Sequence, residues 1–167
     1  MALGTTPNII MLTPEVIEAT KRSVLCWLAT ADSAGQPNVS PKEIFAVFDE
    51  KHLVIANIAS PKSATNIRSN TAVCVSFIDV FTQKGYKLSG MAIDIPSAAP
   101  EFKRWAAPLE QLAGPRFPIR SVFAVTVASV APILAPSYLL YPNETSEESQ
   151  IEAAMRTYHV RPSPNGA

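Results

Sequence analysis

The order of the apolar runs constrains this chain most. Residues 24–30 (VLCWLAT), 43–48 (EIFAVF) and 53–57 (LVIAN) each read as a strand. All three precede the first helix signal that could carry the backbone across a sheet, at Ser60-Pro61. Strands joined by short turns pair antiparallel, whereas parallel neighbours need a crossover, usually a helix. A repeating βαβ fold is therefore excluded for this half of the chain. Residues 31–36 and 49–52 are the turns between the runs. Run 24–30 is apolar up to its closing Thr30, which predicts a strand buried on both faces. The second strand belongs to an extended segment from Pro37 to Asp49. Within it Ser40-Pro41-Lys42 is a polar interruption, and Pro41 cannot donate to a ladder. That predicts an edge strand or a bulge.

The remaining elements surround this β frame. Thr13-Pro14-Glu15 opens a short leading helix that ends near Arg22, with Thr13 as cap and Pro14 at the first helical position. Ser60-Pro61 opens a second helix, which stops at Asn70. Residues 72–80 form a strand, 81–85 a loop, and 86–93 a returning hairpin arm. Residues 98–112 have helical composition, bent at Pro108. Residues 122–134 are a last long strand. Residues 145–148 (TSEE) read as a capping box that starts a terminal helix over 146–158. The expected fold is mainly β: an antiparallel barrel with peripheral helices, in one domain over residues 1–160. Residues 161–167, rich in proline, are expected to be a disordered tail.

Charge and cysteine usage narrow the function classes. Lys+Arg and Asp+Glu are both 14, so no basic excess favours nucleic acid. No apolar stretch of about 18 residues exists, so no membrane span is expected. Residues 1–11 lack a basic start followed by an apolar run, so no secretory signal is expected. Cys26 and Cys74 sit in separate strand runs, which predicts buried reduced thiols and a cytoplasmic setting. His52 and His159 have no cysteine or carboxylate at ligand spacing, so no metal site is expected. Nucleophile-elbow, Walker and dinucleotide-glycine motifs are absent.

Two segments carry candidate chemistry. At the Ser60-Pro61 helix start, the first N–H groups have no partner inside the helix and the dipole is positive. Lys62 adds a cation at that same end, which only an anion would reward. Ser60, Lys62 and the free N–H groups thus read as a phosphate cradle, with Asn66 on the face of Lys62 one turn on. The second segment is the interrupted strand at Val39, Ser40, Pro41 and Lys42, where backbone groups and a lysine could face a ligand.

Three runs carry a resemblance: residues 24–43 (VLCWLATADSAGQPNVSPKE), 53–79 (LVIANIASPKSATNIRSNTAVCVSFID) and 83–92 (QKGYKLSGMA). Over residues 21–93 the chain resembles the pyridoxamine 5′-phosphate oxidase-like family. Those proteins are FMN-binding split β-barrels, usually homodimers with flavin between the subunits. The resemblance implies a split barrel here, with FMN as cofactor. It lays Val39, Ser40, Pro41 and Lys42 along the flavin ring, with Lys42 near the N1–C2=O edge. It sets Ala56 and Asn57 beside the ribityl chain, and Ser60 and Lys62 on the phosphate. Pro61 stands where the oxidases have an arginine. Lys84-Gly85 stands where they have an Arg-Gln pair reaching across the dimer. Their C-terminal Arg-Leu-His-Asp-Arg substrate motif has no match, since residues 159–161 read His-Val-Arg. The function implied is flavin-dependent oxidation or reduction of an unidentified small molecule. The rival is a non-catalytic protein that stores flavin or haem or senses redox state.

Overall fold

The computed structural model describes residues 10–163. Helix α1 (Pro14–Arg22) leads into β1 (Cys26–Ala31), β2 (Pro37–Lys42), β3 (Phe45–Asp49) and β4 (His52–Asn57). Helix α2 (Pro61–Ser69) follows, then β5 (Ala72–Asp79) and β6 (Lys84–Pro96). Helix α3 (Phe102–Ala113), β7 (Ser121–Leu134), α4 (Ser137–Leu140) and α5 (Glu147–Tyr158) complete the order. No helix among the described residues is long and apolar enough to cross a membrane.

The seven strands form one antiparallel sheet in the order β2-β1-β5-β6-β7-β4-β3. Its two edges, β2 and β3, are consecutive in sequence, with only Glu43 and Ile44 between them. In a flat sheet those edges would lie roughly 29 Å apart, six spacings of about 4.8 Å. A link of two residues spans at most about 11 Å. The sheet therefore has to roll until its edges nearly meet, yet β2 and β3 do not pair. The product is a split antiparallel barrel with helices around it, as expected.

Alternation then assigns the two faces. Leu28, Leu53, Ile55, Val75, Phe77, Leu88, Phe123 and Val125 point inward and form the main core. Val16 and Ala19 of α1 and Ala64 and Ile67 of α2 join it. On the outside of β4 and β7, Val54, Ala56, Val122 and Ala124 pack under Ala106 and Leu109 of α3. That is why β4 is buried on both faces.

Several local expectations are corrected. The strand expected over 24–30 begins at Cys26 and is buried on one face only: Trp27 points outward and Val24 lies exposed before the strand. Its apolar outer side follows from its place near the sheet edge, where no helix covers it. Pro41 does lie in an edge strand, β2, one of the two outcomes expected, but the chain breaks between strands only after it, at Glu43-Ile44. Cys26 is buried but Cys74, on the outward face opposite Ala29, is only half-buried. The returning arm is longer than 86–93 and takes in Lys84 and Gly85. Ser60 and Thr13 make no side-chain cap bond. The terminal helix is capped one residue later than expected, by reciprocal bonds between Ser146 and Ser149. Helix α4 was not expected. Residues 1–9 and 164–167, and with them most of the expected tail, lie outside the described residues.

Candidate functional site

Strand β4 ends at Asn57, whose side chain is fully engaged. Its Oδ1 accepts the Ser60 N–H at 3.0 Å and its Nδ2 donates to Ser121 Oγ at 2.8 Å. Asn57 thereby holds the turn that launches α2. The first intrahelical bond is Ala64 N–H to Ser60 C=O, 3.1 Å. The N–H groups of Lys62 and Ser63 thus have no acceptor among the described residues, and Pro61 has no N–H to offer. They point out of the helix start with the positive end of its dipole.

A polar knot ties this turn to the sheet. Asn66 is fully buried and donates through Nδ2 to Thr30 Oγ1 at 3.0 Å. Asn38 on β2 donates to Thr30 Oγ1 at 3.3 Å and to Ser63 Oγ at 3.4 Å. Asn66 Oδ1 is buried with no partner among the described residues. The knot brings β2 beside the first turn of α2. The sequence pointed to Ser63 only through its N–H and to Asn38 only as part of the interrupted strand; their side-chain roles, and Thr30, escaped it. Thr30 carried a signal: it is the one polar member of the inward series Cys26, Leu28, Thr30.

Each expected site residue can now be placed. Lys62 is exposed, and its Nζ lies 3.8 Å from Asp32 Oδ2 on the β1–β2 turn. The Gln36 N–H, with help from Ala34 and Lys62, holds the Asp32 carboxyl below its usual range. Val39 and Pro41 face outward on β2, beside half-buried Ser40. Because β2 is an edge strand, one row of its backbone N–H and C=O groups is unpaired. Lys42 points inward and is buried. Its ammonium bonds Ser40 Oγ and, at 3.2 Å, the Pro41 carbonyl. Burial pushes its pKa below the ordinary lysine value, against the opposing pull of Cys26 across the ladder. Ala56 packs under α3, so its side chain is not available to a ligand. Val39, Pro41 and Lys62 are thus exposed and Ser40 and Ser60 half-buried, with Val39 and Pro41 on the opposite face of β2 from Ser40 and from Asn38, which reaches α2. Asn57 and Asn66 support the α2 start from beneath.

Lys84 and Gly85 behave differently. A Cβ at Gly85 would lie 2.0 Å from the Phe77 carbonyl oxygen, so this backbone admits no side chain there. Lys84 pairs with Glu147 of α5 at 2.7 Å and sits 4.6 Å above the Tyr138 ring. His52 also differs from expectation: Asp49 holds its Nδ1 at 2.7 Å. Five surface cavities among the described residues are lined by none of the nine expected site residues.

Residues 12–133 match the sequence profile of the family described as pyridoxamine 5′-phosphate oxidase, well over half of the chain. The chain belongs to that family. No curated protein matches it. Among solved structures, one similar to it is a Lactobacillus delbrueckii protein provisionally named a pyridoxamine 5′-phosphate oxidase. It has a TM-score of 0.61 and 26% identity over 72% of this chain and 93% of that one. An FMN-binding protein of Syntrophomonas wolfei gives 0.60 and 13% over 72% and 88%. HutZ, the heme storage protein of Vibrio cholerae, gives 0.56 and 21% over 75% and 95%. The last two speak to the fold alone. The family match ends inside β7, so α4 and α5 lie outside it.

Proposed function

We propose that this chain is an FMN-binding flavoprotein, a homodimer with flavin between its subunits, that oxidises or reduces a small molecule. The observation that carries the reading is the α2 start. Two free N–H groups and an exposed lysine converge there, beside an edge strand with an unpaired backbone row. FMN suits this donor set: a dianionic phosphate for the helix end, and a ring with hydrogen-bonding edges for the strand. Bound FMN would supply the electron transfer.

The roles of the protein groups follow from their placement. The N–H groups of Lys62 and Ser63 and the Lys62 ammonium hold the phosphate. Asn57 and Asn66 fix the helix start so that those donors stay aimed. The β2 backbone at Val39 and Ser40 faces the ring. Lys42 grips Ser40 and the Pro41 carbonyl from behind and places positive charge under the strand. The exposed apolar residues Val39, Met91 and Ile93 suit a second subunit's surface. The two free cysteines suit a cytoplasmic setting.

An absorption spectrum of the purified protein tests the reading. Oxidised-flavin bands that bleach on adding NADH or NADPH are expected. Flavin bands that resist every small-molecule reductant and oxidant would support storage or sensing instead. A haem Soret band, or a colourless protein that takes up no FMN, would overturn the proposal.

A further inference from the structure

A separate cavity of about 320 Å³ opens where α1 turns into β1, against the end of β5 and the turn after it. That is within the size range of small-molecule sites, about 300–1,000 Å³. Its walls are apolar and partly aromatic, formed by Trp27, Phe81, Val24, Leu25 and Val80. All but Leu25 of these five are exposed in the chain. Two charged residues, Arg22 and Asp79, share the lining. They are not equivalent. Asp79 Oδ1 accepts the N–H groups of Phe81 and Thr82, at 3.0 and 3.4 Å, and is committed to the turn. Arg22 has no hydrogen-bond or ion-pair partner among the described residues, whereas its neighbour Lys21 is paired with Glu18 at 2.6 Å. The nearby Lys84 is likewise taken, by Glu147.

The cavity is built rather than incidental. Phe81 is held edge-on by Tyr158 of α5, with ring centroids 6.3 Å apart. The turn behind it is fixed by Tyr138 Oη donating to the Thr82 carbonyl at 2.8 Å and by Ala135 N–H donating to the Gln83 carbonyl at 3.1 Å. These supports come from the C-terminal segment beyond the family match. The cavity shares no residue with the proposed flavin site, although Trp27 stands opposite Pro41 in the β1–β2 ladder.

We infer that this cavity binds a flat aromatic monocarboxylate, its ring between Trp27 and Phe81 and its carboxylate on the Arg22 guanidinium. A planar ring gains from aromatic walls beyond its buried area. A guanidinium with unmet donors in a fork takes a carboxylate in two-point fashion. Neutral apolar ligands would leave that fork unused.

Calorimetric titration of the full chain with benzoate, and with benzamide as its uncharged counterpart, tests the inference. Saturable benzoate binding is expected, about tenfold or more tighter than benzamide, the range of a charge-assisted hydrogen bond. Arg22→Gln should erase that preference and leave benzamide unchanged. Trp27→Ala should weaken both. Benzoate binding by a chain that takes up no flavin would support this site while overturning the flavin reading. Absence of saturable benzoate binding, equal affinity for the two probes, or a preference that survives Arg22→Gln would overturn it. So would tighter binding of L-phenylalanine than of benzoate, since Asp79 would then be serving an ammonium.

Discussion

Lys62 and Asp32 set the electrostatics of the helix start together. At 3.8 Å, with Lys62 largely in water, the pair holds the ammonium loosely and is worth little. A phosphate on the α2 N–H groups would outbid it. Lys62→Ala should therefore weaken FMN about tenfold or more and riboflavin hardly at all, since only FMN carries the phosphate. An unchanged FMN-to-riboflavin ratio in equilibrium binding would place the phosphate elsewhere. The two thiols separate as sharply. Cys26 is buried, and burial pushes its thiol from 9.0 up to about 12, whereas Cys74 is half-buried. A thiol reagent should label Cys74 in the native protein and Cys26 only on unfolding. Between pH 9 and 12 the unfolded chain releases the Cys26 proton that the fold retains. Stability is thus lost as pH rises through that window, at up to about 1.4 kcal/mol per unit. Lys42, lowered by burial, works the other way just below its ordinary 10.5. Urea melts from pH 8 to 11 should show the loss, and Cys26→Ala should reduce it.

Two elements make predictions of their own. In β6, Gly85 lies so close to β5 that an alanine Cβ would sit 2.0 Å from the Phe77 carbonyl oxygen. Gly85→Ala should break the β5–β6 register and cost about 3 kcal/mol or more, read as a fall in the urea midpoint. The family's glutamine is thus barred from this position by the backbone itself. Helix α5 is fastened differently, through Lys84–Glu147 and the ring contact of Tyr158 on Phe81. Both ends of the ion pair are partly in water, so Glu147→Gln should change global stability by about 1 kcal/mol or less. Its effect should be local: faster hydrogen exchange along Glu147–Tyr158, with the sheet amides unchanged. Slower exchange, or acceleration spread over the whole sheet, would mean that α5 is not an independent latch.

At the scale of the molecule, the roll of the sheet decides what is covered. The inside of the barrel is filled, and α3 shields the outside of β4 and β7. On the outside of β2, the Ala29–Ala31 end of β1 and the middle of β6 no helix lies among the described residues, and Val39, Met91 and Ile93 stand in water there, away from the Trp27 end of β1 that lines the separate cavity. A second copy would cover them, so sedimentation at micromolar concentration should report about twice 18.0 kDa. A monomer that retains FMN tightly would refute the shared site.

What the sequence determined by itself is local. Proline at a first helical position, short apolar runs and turn residues specify α1, α2, β4, β5 and β7 because these signals act within a few residues. The order of those elements was enough to exclude βαβ and to require antiparallel pairing. The helix start at Lys62 and the edge strand at Pro41 were legible for the same reason. Burial was not, because it depends on which neighbour arrives from far along the chain. Trp27 and Cys74 lie in apolar runs but face outward, since among the described residues no helix packs over that side of β1 and β5. Ala56, Asn57 and Lys42 read as ligand-facing, yet α3, Ser121 and the inner side of β2 claim their side chains. Asn66 and Thr30 meet only because α2 crosses β1, 36 residues apart in sequence. Such contacts exist only once the sheet has rolled, and no local pattern encodes them.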